Sequence, residues 1–314
     1  MLSGLTLFDL AWLTAAAVAL DMLLGEPRRW HPLIGFGNLS SLLERALNRG
    51  RALKLRGMLA WLLAVAPLVA LSAWLADAYG AAIHLALLYF SLGLRSLHDH
   101  NLPIARALLA WDISSARLLT ARIVSRDTTE LREEELAKAS VESLLENGND
   151  AVFGTLFWFA VAGGPGALMF RLANTLDAMW GYKTARFLRF GWMAARFDDL
   201  VNLPAARLTA LSYVALAEDS RRALRCWRVQ APAWSSPNAG PVMASGAGAL
   251  GVLLGGSATY DGVLEQRPVL GAGKPPAAHD IERAWKLVVR TTILWLALMA
   301  FAAIAAHLSG AHHA

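Results

Sequence analysis

Between Ala121 and Pro204 the chain gathers side chains able to hold a metal ion, contact phosphate and move a proton. Asn174 and Asp177 stand three residues apart, on one face of a helix, and Asp198, Asp199 and Asn202 repeat the theme as DDxxN. Hard oxygen ligands clustered in this way suit Mg²⁺, which takes one or two carboxylates and leaves its other positions to water and phosphate. Acidic pairs also serve as helix caps and as partners for arginines, here Arg189, Arg196 and Arg207, so both readings stand. Further upstream Lys138, Glu142 and Glu146 fall at i, i+4 and i+8, sharing a helix face on which Lys138 can pair with Glu142. A solvated charged stripe would look the same. Asp21, with Glu26 and His31 just beyond it, is a further candidate, because a carboxylate within an apolar run is costly in lipid. A residue at a helix end in the interface is the alternative reading.

The elements that must position these groups are apolar. The chain of 314 residues is 56% hydrophobic and only 17% charged, with a mean hydropathy of +0.42, which points to an integral membrane protein rather than a soluble domain. Its net charge of +5 sits mainly in loops beside apolar runs. Positive-inside bias explains that placement, and nucleic-acid binding is not expected. One cysteine, Cys226, excludes an internal disulfide and a CxxC metal site.

Leu7 to Leu24 reads as a retained helix rather than a signal peptide, since GEPRRWHP follows in place of a small-residue cleavage site. The loop with Arg28, Arg29, Arg45, Arg49, Arg51, Lys54 and Arg56 is basic and should be cytoplasmic. Met58 to Ala76 and Ala81 to Leu94 read as an antiparallel pair of spans. Ser125 to Glu130 resembles a helix start, capped by Asp127, before a polar helix from about Glu133 to Asn147. Ala151 to Phe170 has the length of a span, but Gly163 to Gly166 interrupts it and basic sequence follows. A re-entrant or membrane-embedded helical hairpin is therefore predicted. Leu203 to Ala217, interrupted by Arg207, is expected in the interface.

Gly246, Gly248 and Gly251 formally spell GxGxxG, yet no strand precedes them, and close packing of small residues between helices explains them equally well. No phosphate-binding GxxxxGK[ST] loop occurs. Asp261 to Asp280 reads as a loop and Leu287 to Leu308 as a last span. The predicted fold is all-α: a polytopic membrane protein of about four spanning helices, plus re-entrant or interfacial ones, with both termini outside. Residues 1–314 are expected to form a single membrane-embedded domain, in which 98–150 and 171–286 supply a cytoplasm-facing polar region.

The blocks LDMLLGEPRRWHPLIGFGNL, IVSRDTTEL, VESLLENGNDAVFGTLFW, NTLDAMWGYK, ARFDDLVNLPAARL and SPNAGPVMASGAGALGVLLGG resemble, in order, the cobalamin-biosynthesis membrane proteins of the CobD/CbiB type, the adenosylcobinamide-phosphate synthases. That resemblance covers about Leu20 to Leu308. It implies ATP-dependent amide formation between the free propionate of adenosylcobyric acid and (R)-1-amino-2-propanol or its O-phosphate, in the inner membrane. Implied partners are those substrates, membrane lipid and other corrinoid-pathway enzymes, and the implied cofactors are ATP and Mg²⁺. On this reading Asp177, Asp198, Asp199 and Asn202 hold the metal, and Glu142, Glu146, Asp150 and Lys183 are catalytic, a carboxylate taking the amine's proton. Arg126, Asp127, Asn147, Asn174, Tyr182, Arg196, Ser236 and Asn238 bind nucleotide or substrate, the last two at the corrin's peripheral amides. A corrinoid transporter or a membrane scaffold is the competing class.

Overall fold

The computed structural model describes residues 4–27, 31–260 and 263–311, and no side chain at 259–264 or 311. Arg28, Arg29 and Asp261, which the sequence places in loops, lie outside the described residues. Among the described residues four helices are long and apolar enough to cross a membrane: Leu7–Leu24, Leu53–Tyr79, Glu133–Trp180 and Ala278–Gly310. The helical, membrane-type fold agrees with the sequence. One member of the set does not, because α4 (Ala81–Ser91) has only 11 residues, too few for the span expected over Ala81 to Leu94.

The chain packs as two compact units, each assembled from separate sequence segments. The first comprises residues 1–93, 150–202 and 296–314. It contains α1 (Leu7–Leu24), α2 (Pro32–Leu47), α3 (Leu53–Tyr79) and α4. To these it adds α8 (Gly154–Trp180) and the N-terminal half of α9 (Trp192–Leu216). Phe36, Trp61, Val65, Leu172, Leu176, Trp180 and Phe190 make its core. The Trp180 and Phe190 rings meet edge-on at 5.1 Å, which holds the loop between α8 and α9 against α3.

α8 is broken. Ala162 and Gly163 leave helical geometry, Gly163 at φ +64°, and Pro165 follows without an amide hydrogen. The amide of Gly164 is satisfied from outside the helix, donating to His84 Nδ1 of α4 at 2.9 Å. A straight helix of 27 residues would be about 40 Å long. Yet Asp150, before its start, and Asp177, in its last turn, are electrostatic neighbours. The chain must therefore reverse at Gly163, giving the helical hairpin that the GGPG sequence predicts. At the near side of that hairpin a π-helical turn, Asn149–Phe153, joins it to the preceding α7 (Glu133–Gly148).

The second unit comprises residues 94–149 and 203–295. It holds α5 (Leu94–Leu109), α6 (Ile113–Thr120), α7, the C-terminal half of α9, α10 (Ser220–Gln230), α11 (Ala239–Leu250) and the first half of α12 (Ala278–Ala311). The expected loop over Asp261 to Asp280 contains a strand, Val263–Gly271, and ends in the first residues of α12. β1 (Leu253–Tyr260) pairs antiparallel with β2 (Val263–Gly271). Gly255 faces Val269 and Gly256 faces Arg267, so Pro268 is an extra, unpaired residue. A proline at a bulge removes no ladder bond, which is how a Pro-containing segment can still be a strand. Of the glycines read as helix packing, Gly246 and Gly248 lie in α11 and Gly251 is its C-cap.

Leu203 to Ala217, expected as a short interfacial piece, belongs to the continuous 25-residue α9, with Pro204 inside it.

Candidate functional site

In the first unit, the two predicted acidic elements meet because of the α8 hairpin. Asn174 and Asp177 come from the end of α8, Asp198 and Asn202 from one face of α9, and Asp150 from the π-helical turn. Asp198 is buried and accepts a hydrogen bond from the Asn174 side chain. Its Oδ1 has no partner. Burial first, then Asp150 and Asp177, push its carboxyl well above the ordinary carboxylate range. Asn202 Nδ2 donates to Asp150 Oδ1 at 2.7 Å. A side-chain carbon added at Gly181 would meet Asp177 Oδ1 and the Asp177 carbonyl oxygen, so only glycine leaves that carboxylate its place.

Asp199 sits one residue round the helix from Asp198 and faces differently. Burial lifts its carboxyl above the ordinary range, against the pull of Arg196 and Lys183. Lys183, Tyr182 and Arg196 are exposed, the first two on the loop between α8 and α9. That loop is tethered by Arg186, whose Nε and Nη2 donate to both carboxylate oxygens of Glu44 at 3.0 and 2.6 Å. Asn48 Nδ2 donates to the Arg186 carbonyl oxygen at 3.2 Å.

Of the predicted metal set, Asp177 and Asp198 come together, Asp150 joins them, and Asn202 is a hydrogen-bond donor to Asp150. Among the described residues no three His, Cys, Asp or Glu side chains close into a protein-only metal cage. A buried carboxylate oxygen without a partner, beside two further carboxylates, still suits an ion that keeps water and phosphate in its shell.

Asp21 is buried, and Arg171 of α8 lies within electrostatic reach of Asp21, Glu26 and Asp150. Arg171 Nε is buried without a partner. Sequence reasoning counted Arg171 only as loop charge, although it stands three residues before Asn174. His31 has a local role: its Nδ1 accepts from Leu33 N at 3.2 Å, capping α2. An apolar cavity of about 370 Å³ lined by Phe36, Leu68, Leu71, Leu87, Phe90 and Leu172 has no titratable side chain in its wall and carries none of this chemistry.

In the second unit, Glu142 faces inward and is not paired with Lys138. Arg126 Nη2 donates to its Oε2 at 3.2 Å, and Arg267 Nη2 donates to its Oε1 and Oε2 at 3.3 and 3.4 Å. The Gly255 amide adds a bond of 2.8 Å to Oε1. The predicted stripe is thus a buried ion cluster with its cations drawn from elsewhere. Glu146 and Asn147 are half-buried, and Asn147 Nδ2 donates to Ser143 Oγ at 3.1 Å.

Asp127 is exposed and accepts from the Thr129 amide and hydroxyl, holding its carboxyl below the ordinary range. It closes a turn, and the helix itself begins six residues later, at Glu133. Ser236 Oγ accepts from the amides of Asn238 and Ala239 at the entry to α11, and Asn238 Oδ1 accepts from Arg207 Nη1 at 2.6 Å. Arg267 escaped sequence reasoning because its segment was read as loop. Val263 to Leu270 shows no apolar–polar alternation and contains Pro268, so the sequence carried no strand signal there.

No solved structure matches the chain. Curated relatives span nearly all of it. A protein of Stutzerimonas stutzeri named "Cobalamin biosynthesis protein CobD" is 56% identical, covering 91% of this chain and 95% of its own. One of the same name from Chromobacterium violaceum is 53% identical over 95% of this chain and 97% of its own. A third, from Rhodobacter capsulatus, is 38% identical over 90% and 94%. The family model described as CobD/Cbib protein matches residues 14–288, and with these relatives it establishes that the chain belongs to the CobD/Cbib protein family.

Proposed function

We propose that this member of a cobalamin-biosynthesis family is an ATP-dependent ligase. It joins the free propionate of adenosylcobyric acid to (R)-1-amino-2-propanol or its O-phosphate, giving adenosylcobinamide or its phosphate. A carboxylate is a poor electrophile, so the propionate oxygen first attacks the γ-phosphorus of ATP and ADP leaves, which yields an acyl phosphate. The amine nitrogen then attacks the acyl carbon, the carbon–oxygen bond to phosphate breaks, and the nitrogen's proton passes to a carboxylate.

Asp177 and Asp198, with Asp150 close by, would hold Mg²⁺, whose charge offsets that of the phosphate oxygens. Asn174 and Asn202 keep two of these carboxylates in place, by their bonds to Asp198 and Asp150. Lys183 and Arg196, exposed beside Asp199, face the anionic oxygens, and Tyr182 flanks Lys183 on the same loop. Glu142 is engaged by three donors and is not the proton acceptor in this reading. The basic loop from Arg45 to Arg56 supports a cytoplasmic active side.

The observation that carries this reading is the buried, unpartnered Asp198 Oδ1 beside two more carboxylates. Purified protein in detergent with adenosylcobyric acid, aminopropanol phosphate, Mg²⁺ and ATP is expected to give the amide by mass spectrometry, with stoichiometric ADP. Asp198→Ala is expected to abolish it while the fold is retained. Product formation at the wild-type rate in that variant would overturn the metal assignment, and a wild type that binds corrin without turnover would favour a scaffold.

A further inference from the structure

We propose that Arg171 and Glu26 of the first unit form a binding site for an aminoalkyl phosphate, the guanidinium taking the phosphate and the carboxylate the ammonium. The zwitterionic chemistry stands on the geometry. That its source is the soluble amine substrate rests on the ligase reading above.

Arg171 stands in α8 beyond the break, and Glu26 in the turn that follows α1. Among the described residues neither side chain forms a hydrogen bond or an ion pair. Glu26 is exposed, whereas Arg171 is half-buried with its Nε sealed from solvent. A guanidinium carries five N–H donors, and leaving them unmet away from water is costly. Glu26, Asp150 and Asp21 lie within electrostatic reach and offset its charge, but a charge at a distance accepts no hydrogen bond. What Arg171 lacks is an acceptor, not a counter-charge. A plain anion would supply acceptors and meet the repulsion of those carboxylates. A phosphate monoester that also carries an ammonium supplies acceptors to Arg171 and sets a cation against Glu26.

Gly93 sets the spacing. Arg171 Nη2 and Glu26 Oε1 lie 3.8 and 3.9 Å from the point where a side-chain carbon on Gly93 would stand, so they flank one point that only glycine leaves to a ligand. The frame around it is pinned. Tyr89 Oη of α4 donates to the Gly25 carbonyl oxygen at 2.7 Å, which holds the turn carrying Glu26. The Gly93 amide donates to the Ala151 carbonyl oxygen at 3.2 Å, which ties the end of α4 to the π-helical turn. His31 is the other titratable neighbour of the pair; its Nδ1 is taken by the Leu33 amide and burial holds its imidazole below the ordinary value, so it stays neutral and does not compete for Glu26. Asp150 neighbours Asp177 and Asp198 as well as Arg171, so the pocket adjoins the acidic cluster. Phe90, whose ring meets that of His31 edge-on at 6.3 Å, also lines the apolar cavity. Phosphatidylethanolamine presents the same zwitterion together with acyl chains that suit that cavity, and it is the second source to be separated.

Isothermal titration of the full-length protein in phosphatidylcholine nanodiscs, with EDTA present and O-phosphoethanolamine as the probe, tests this. The probe is expected to bind, and ethanolamine and inorganic phosphate to bind more weakly by roughly tenfold or more. Glu26→Gln, at an exposed position, should weaken the probe by roughly tenfold without weakening inorganic phosphate, because the carboxylate repels a plain anion. Gly93→Ala, which keeps both charges and fills the point between them, should weaken the probe to a similar extent. Glu218→Gln, which removes an exposed carboxylate of the second unit, should leave binding unchanged. Absence of probe binding in the wild type, or equal binding in wild type and Glu26→Gln, would overturn the proposal. Repeating the titration in nanodiscs that contain phosphatidylethanolamine separates the sources: unchanged affinity assigns the site to the soluble ester, and competition assigns it to the lipid headgroup and overturns its role as the amine's pocket. The site and the ligase reading fail separately. Probe binding without amide product would sink the ligase and leave the site standing, and amide product with an unaltered KM for aminopropanol phosphate in Glu26→Gln would do the reverse.

Discussion

Asp198 carries opposite demands for stability and for activity. Its ionised form is disfavoured by burial and by Asp150 and Asp177, so neutralising it should relieve the folded state while removing a ligand. Asp198→Asn is expected to raise the thermal midpoint in Mg²⁺-free buffer, through relief on the order of 1 kcal/mol, and to lower amide formation on the order of 100-fold. Scanning fluorimetry and product analysis on the same preparation check both, and a variant that is both less stable and fully active would refute the assignment. Glu44 behaves in the opposite sense. Its hydrogen bonds from Arg186 hold its carboxyl below the ordinary value of 4.5. A carboxylate depressed in the folded state contributes stability above its unfolded value, and that contribution is lost as pH falls through the folded value. Arg186 is 63% exposed, so the pair is worth roughly 0.5–1 kcal/mol. Glu44→Gln should lose that amount at pH 7 and flatten the acid limb of a denaturation series run from pH 7 down to pH 3.

At the scale of elements, the break in α8 decides whether a site exists at all. Gly163 holds a left-handed conformation, and His84 satisfies the amide of Gly164 across the packing of α4 on α8. Gly163→Ala should destabilise by about 1–2 kcal/mol, and His84→Ala, which strands a buried amide, by about 1–3 kcal/mol. Both are read by thermal unfolding in detergent. If the hairpin brings Asp150 to Asp177, these two variants should also lose activity beyond their loss of folded protein, although neither residue touches the acidic cluster. Normal turnover per folded molecule would show that the reversal does not position the site. The β-hairpin is a second such element, since its bulge at Pro268 aims an amide and an arginine at Glu142.

For the whole molecule the relevant solvent is a bilayer. Trp74 is 61% exposed and Phe301 72% exposed on helices that are long and apolar enough to span one, so the chain should sediment with membranes after carbonate washing and aggregate when detergent is withdrawn. α3 offers a direct test of sidedness. Its 27 residues reach about 40 Å, enough to put Arg51 and Asp77 at opposite surfaces. Cys226 is buried and the chain has no other cysteine. An impermeant thiol reagent should therefore label Arg51→Cys in inside-out vesicles and Asp77→Cys in right-side-out ones. The reverse pattern would place the basic loops outside and contradict a cytoplasmic active side.

The sequence by itself determined the class of solvent, the helical fold, the break at GGPG and the family, because composition, apolar run length, Gly and Pro chemistry and ordered motif blocks are local properties of the chain. It also marked Asp177, Asp198 and Asn202 through helical spacing. Only the tertiary structure decided which carboxylate joins them, since Asp150 and Asp177 become neighbours by a chain reversal and Asp198 and Asp199, adjacent in sequence, diverge by one helical step. The same holds for Glu142: its spacing from Lys138 pointed to a surface pair, but its partners are Arg126 and Arg267, 16 and 125 residues away. Burial selects those partners, because a carboxylate removed from water needs several close donors, and no local pattern records where the fold will find them.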